Sequence, residues 1–168
     1  PKRLKGIKSR IIGSVTKSVS INSPKPVLVV KPSQADSSDK MKILFTTDGS
    51  DYARKAGETL SIIPFHDNTE ITVLHVITPA FYDIPDRFMT KIDQNDTEDL
   101  KNFSSQELRE SQKIIAQIVE YLMKGFSNIR TLTRTGDPSD EILQAANELN
   151  ADMIVVGSKG MGGFRGII

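Results

Sequence analysis

Strand-like and helix-like patterns alternate along residues 41–156, and the alternation predicts an α/β fold: an open, parallel five-stranded sheet with helices on both faces. Three observations carry this. The strand candidates are short, near-continuous apolar runs, as expected of strands buried on both sides. The segments between them place apolar residues at helical spacing and are closed by glycine or proline. The chain's 168 residues, 38% of them hydrophobic, suffice for one domain with a sizeable core.

The first elements lie outside that alternation. In RIIGSVTKSVSIN, Arg10 to Asn22, the residues Ile11, Ile12, Val15 and Val19 fall at near-helical spacing. KPVLVVKP, Lys25 to Pro32, is a compact β-branched run bounded by prolines. A helix and a fifth strand are therefore expected within residues 1–32. SQADSSDK, Ser33 to Lys40, has the polar, serine-rich composition of a linker.

The regular order starts with the run Met41 to Phe45, a buried strand ending in the turn Asp48-Gly49-Ser50. Ser50 is the expected cap of a helix over Asp51 to Ile63, which Pro64 stops. EITVLHVI, Glu70 to Ile77, is the second strand, and the long connection after it, with Pro79 and Pro85, is expected to be a lid or partner surface. From Glu98 to Lys124 the residues Leu100, Phe103, Leu108, Ile114, Ile115, Ile118, Val119 and Leu122 predict a long amphipathic helix closed by Gly125. IRTLTRTG, Ile129 to Gly136, is the third strand. Pro138 opens a helix whose Ile142, Leu143, Ala146 and Leu149 face the core. ADMIVVG, Ala151 to Gly157, is the fourth strand.

Composition narrows the chemistry. Lysine and arginine (22) nearly balance aspartate and glutamate (21), so the whole chain makes no electrostatic argument for nucleic acid, and none is expected as a partner. Lys2, Arg3, Lys5, Lys8 and Arg10 form a basic cluster that reads as a solvated face or a phosphate contact. Without cysteine there is no disulfide framework, thiolate zinc site or cysteine nucleophile. The two histidines, His66 and His75, fall in different elements, so no metal site is expected; His75, mid-strand, reads as a core histidine with one satisfied nitrogen. No apolar run approaches the ~18 residues of a membrane span and no signal-peptide core is evident, so a cytoplasmic location with no membrane partner is expected. No Ser/His/Asp or paired-carboxylate arrangement can be composed, which argues against a dedicated hydrolase.

The candidate binding chemistry sits at two strand ends. Parallel sheets bind ligands outside the carboxyl ends of their strands, where the strand order reverses. After the first strand comes Asp48, whose carboxylate can accept from a ribose hydroxyl or an adenine amine, or cap the following helix. After the fourth come Gly157, Ser158, Gly160, Gly162 and Gly163, where missing side chains let backbone N–H groups approach an anion. The spacing matches neither a Walker loop nor an early dinucleotide fingerprint.

These residues resemble the universal stress protein (UspA-like) family. MKILFTTDGSDYARKA is similar to its first strand and helix, ITVLHVI to its second strand, and GDPSDEILQAANELNADMIVVGSKGMGG to its third helix and fourth strand. The resemblance implies a Rossmann-like sheet of the adenine nucleotide alpha hydrolase type. In the ATP-binding branch the loop reads G-x-x-G, then nine residues, then G-[S/T]; Gly157 and Gly160 match its first half, and the second half would fall past Ile168. IIGSVTKSV supplies a Gly13-Ser14-Val15 that resembles this second half, ahead of a run similar to the family's last strand. Arg3 stands where that copy's second glycine belongs. PKRLKGIKSRI laid over SKGMGGFRGII pairs Lys2 with Lys159, Gly6 with Gly163 and Ile11 with Ile168.

The chain, which opens on Pro1, is therefore expected to be a piece of a tandem protein: the last helix and strand of one repeat (1–32), a linker (33–40), and a domain lacking its own last helix and strand (41–168). Residues 12–31 are expected to fill that gap within one chain, the eight linker residues reaching at most about 28 Å, or between two chains as a domain-swapped dimer. Residues 1–11 and 158–168 would then compete for one location. By resemblance, Asp48 and Val76 hold the adenosine of ATP, Gly157, Ser158, Gly160 and Gly163 its phosphates, and Gly13, Ser14 and Val15 complete the site, with Mg2+ held by the phosphates. The implied role is a non-catalytic, nucleotide-dependent stress-response regulator, slow ATP hydrolysis at most. The alternative is a nucleotide-free dimerisation module, such as the regulatory tail of a transporter. An adenylyltransferase would want a histidine pair near the first strand's end, which is lacking.

Overall fold

The computed structural model describes residues 14–30, 40–78 and 96–158, the side chains of 96–105 excepted. The chain divides into two compact units, one built on Pro1–Gln34 and one on Ala35–Ile167.

The first unit holds one described helix, α1 (Ser14–Asn22), none of whose residues is buried. After it, Pro26–Val30 forms no strand: among the described residues it has no ladder partner. This corrects the expected fifth strand. Val27 to Val30 has strand composition, but a strand exists only where a neighbour takes its hydrogen bonds.

The second unit is a four-stranded sheet, β1 (Lys42–Thr46), β2 (Glu70–Ile77), β3 (Asn128–Thr135) and β4 (Met153–Val155), in the order β3-β2-β1-β4 with every pair parallel. Helices α2 (Asp51–Ser61), α3 (Asp96–Leu122) and α4 (Pro138–Leu149) make the crossovers. The chain moves outward from β1 through β2 to β3, then returns past β1 to β4. With crossovers of one hand, the helix that reverses direction must lie on the other face. Accordingly α2 and α3 cover one face, where Phe45, Ile43, Leu60, Ile71, Ile118 and Leu122 form the larger core, and α4 covers the other, packing on Leu44 and Leu74. No described helix is long and apolar enough to cross a membrane.

Two side chains expected in the core are not there. Leu143 is 48% exposed because the stripe of α4 runs through Ile142, Ala145, Ala146 and Leu149, a helical series from which position 143 is rotated by about 100°. Leu108 keeps heptad step with Ser111, Ile115, Ile118 and Leu122, yet is 47% exposed. The 27 residues of α3 span about 40 Å and the eight of β3 about 26 Å, so the helix overshoots the sheet and carries Leu108 to its C-terminal rim.

Candidate functional site at the carboxyl ends of β1 and β4

The strand order reverses between β1 and β4, and the turn after β1 is held rigidly there. Thr47 N–H donates to Leu74 O at 2.9 Å, and the Thr46 hydroxyl donates to Val155 O at 3.1 Å, tying the end of β1 to both neighbours. Thr47 Oγ1 accepts from Gly49 N–H at 3.2 Å, and Asp48 Oδ1 accepts from Ser50 N–H at 3.0 Å, an Asx turn. Gly49 has φ of 82°, a left-handed conformation suited to glycine, and a Cβ there would meet Ile114 Cγ1 at 3.0 Å. Ser50 then caps α2, its Oγ accepting from Ala53 N–H at 3.2 Å. The partial positive charge of the α2 N-terminus therefore faces the rim of the sheet beside the Asp48 carboxylate.

Gly157 reaches the same helix end from β4. A Cβ on it would lie 2.9 Å from the Ala53 amide nitrogen and 3.2 Å from the Tyr52 carbonyl carbon, both backbone atoms. The loop after β4 thus seats on the first turn of α2 only because position 157 has no side chain. The backbone packed against Gly157 is that of α2. Ser158, the next residue, is exposed.

Val76 stands near the end of β2 on the α4 face, packed against the Leu44–Leu74 cluster. His75, beside it, points its Nδ1 at Thr47 O, 2.7 Å away. A carbonyl only accepts, so Nδ1 carries the proton, and the ring braces the β1 turn. On β3, alongside, the Thr133 hydroxyl bonds the fully buried Ser111 hydroxyl at 3.1 Å.

The structure therefore brings Asp48, Val76, Gly157 and Ser158 to the ends of three adjacent strands. Ser14 and Val15 form the first turn of α1, in the other unit. Gly13, Gly160 and Gly163 lie outside the described residues, as do residues 1–11 and the expected lid with Pro79 and Pro85. Sequence reasoning missed Thr46 and Thr47, whose hydroxyls and amides lock the turn; their signal is two threonines closing a strand whose neighbours are apolar. Among the described residues the site is a shelf along these strand ends. The described cavities lie elsewhere: one of about 60 Å³ at the opposite end of the sheet, lined by Lys42, Glu70, Thr72 and Arg130, and one of about 320 Å³ beside Phe65, His66 and Phe126. In the first, Lys40 beside Glu70 holds its carboxyl below the ordinary carboxylate range, helped by Asn128 and Arg130. That charge cluster joins strand starts, away from the shelf.

A profile of the Universal stress protein family matches residues 41–168. Universal stress protein YxiE of Bacillus subtilis (strain 168) is 28% identical in an alignment of 134 residues that covers 74% of this chain and 82% of that relative. Among solved structures, the hypothetical protein MJ0577 aligns with a TM-score of 0.56 at 25% identity over 74% of this chain and 79% of its own. The universal stress protein UspA from Lactobacillus plantarum shares the fold, with a TM-score of 0.52 at 19% identity over 72% of this chain and 79% of its own. The parallel sheet, the Asp48 turn and the glycine after β4 fall inside the matched residues, and the chain belongs to the universal stress protein family.

Proposed function

We propose that the domain binds an adenine nucleotide, ATP, on the shelf at the carboxyl ends of β1 and β4, as a non-catalytic stress-response regulator. One observation carries the reading: the Asp48 turn and the Gly157-Ser158 loop converge on the N-terminus of α2 at the point where strand order reverses. That arrangement pairs an acceptor for ribose or adenine with a helix end suited to phosphate. Asp48 and Val76 would contact the adenosine; Gly157, Ser158, Gly160 and Gly163 would line the phosphates, and Gly13, Ser14 and Val15 would close the site. Mg2+ would be held by phosphate oxygens, since it prefers few protein ligands. Slow ATP hydrolysis at most belongs to this reading.

Titration calorimetry with ATP, ADP and AMP tests this on the full chain and on Asp48→Asn. Asparagine keeps an Oδ1 for the Ser50 amide, so the turn survives while the charge is lost. Binding by the native chain and a loss of roughly tenfold or more in the variant, about 1.4 kcal/mol, is the expected result. Absence of heat and of any melting shift at millimolar ATP would refute the reading.

A further inference from the structure

The sheet carries a second constellation at the amino ends of its strands, the far end from the nucleotide shelf. Side chains alternate along a strand, and register then puts Lys42 and Leu44 of β1, Glu70 and Thr72 of β2 and Arg130 of β3 on one face, the face that α4 covers. Leu44, Thr72 and Arg130 share one row of that register, and Lys42 and Glu70 share the row before it. Helix α4 ends at Leu149. The cavity of about 60 Å³ left under its end has polar walls, Lys42, Glu70, Thr72 and Arg130, and an apolar side that includes Leu149 and Ala151.

The charges around it are unevenly engaged. Glu70 Oε1 meets Lys40 Nζ at 2.5 Å and accepts from Asn128 Nδ2 at 3.2 Å, and the Glu70 side chain is 15% exposed. Arg130 reaches the same oxygen only at 3.6 Å, which leaves most of its five donors to water. Among the described residues Lys42 Nζ has no ion pair and the Thr72 hydroxyl no hydrogen bond. Asp152 is occupied by the Lys42 backbone N–H, at 2.8 Å. Lys40, Lys42 and Arg130 against Glu70 and Asp152 leave one positive charge in excess. The carboxyl end of α4 would oppose an anion, but its carbonyls are turned to other use. Asn150, at φ 50°, closes the helix so that its own N–H donates to Asn147 O at 3.2 Å and Ala151 N–H to Ala146 O at 2.9 Å.

We propose that this cavity is a binding site for a small aliphatic monocarboxylate, with the carboxylate among Arg130, Lys42 and the Thr72 hydroxyl and the hydrocarbon end against Leu149 and Ala151. Size sets the class. One water needs about 10–15 Å³ of cavity, so the space holds roughly four to six such groups, an acid of two or three carbons. Charge sets it too: one excess positive charge matches a monoanion, whereas a phosphate dianion brings a second negative charge toward Glu70 and buries polar oxygens against an apolar wall. The planar guanidinium of Arg130 suits a carboxylate's two oxygens. The proposal does not rest on nucleotide binding.

The test is a titration of the nitrogen-15-labelled full chain with sodium propionate at pH 7, read by amide chemical shifts without nucleotide and against sodium chloride at equal ionic strength. Saturation at millimolar propionate is expected, with the largest shifts at Lys42, Thr72, Arg130 and Ala151 and none at Asp48 or Ser158. Neither chloride nor propylammonium should saturate. Arg130→Gln and Lys42→Gln should each weaken propionate at least fivefold, and Thr72→Val, which keeps the branched shape on β2, at least threefold; each variant's spectrum reports its own folding. The proposal is overturned by propionate shifts that match those of chloride, by shifts centred on Asp48 and Ser158, by unchanged affinity in folded Arg130→Gln and Lys42→Gln chains, or by inorganic phosphate binding more tightly than propionate. Since no arm contains nucleotide, failure of the ATP reading leaves these outcomes unchanged.

Discussion

Replacing Gly157 by alanine separates the two readings of the glycine loop. The new Cβ would lie 2.9 Å from Ala53 N, 3.2 Å from Tyr52 C and 3.3 Å from Ala53 Cα, where unstrained contacts begin near 3.4 Å. These are backbone atoms of a turn that cannot easily retreat. The Ser50 cap holds it, Ala53 is 1% exposed, and Leu60 anchors the helix in the larger core. The loop must instead lift away from β4, at the overpacking cost of about 1–3 kcal/mol. For a domain of this size that lowers the melting temperature by roughly 4–10 °C. Differential scanning calorimetry of the native and variant chains measures it without ligand. If Gly157 served only to admit a phosphate, the unliganded variant would melt with the native protein. A shift under 1 °C would refute the seating on α2.

Other perturbations have definite signs. Gly57→Ala should stabilise by about 0.5–1 kcal/mol, since its Cβ, inside α2, would make ordinary contacts with Phe45 Cζ at 3.5 Å and Cε2 at 3.8 Å; chemical denaturation checks the midpoint. Phe45→Ala, in the fully buried centre of the same core, should cost about 3–5 kcal/mol in the same assay. The Glu70 carboxyl is held below its ordinary value of 4.5, chiefly by its bond with Lys40. A depressed folded pKa gives stability that is full above the unfolded value and lost as pH falls through the folded one. Melting curves from pH 7 to pH 3 should therefore show the native advantage over Glu70→Gln constant down to about pH 5 and shrinking below it; an advantage that grows on acidification would contradict the assignment.

What could be read in the sequence divides along a physical line. Local features were legible: the Asp48-Gly49-Ser50 turn and the Ser50 cap depend on residues within three positions of one another, and the apolar runs of β1 and β2 announce their own burial. Features defined by a partner were not. Gly157 shows in sequence only that a side chain is missing, and its neighbour, the first turn of α2, comes from a hundred residues earlier. Leu143 and Leu108 are apolar at plausible spacings, but which side of α4 meets the sheet, and how far α3 overshoots it, depend on crossover geometry. Val27–Val30 is the sharpest case. Its composition predicts a strand, and it forms none, because a strand also needs a neighbour to take its hydrogen bonds, which composition does not reveal. The outer edge of β4 presents a related deficit, having no ladder partner among the described residues. Each deficit alone would cost a folded chain stability and invite aggregation.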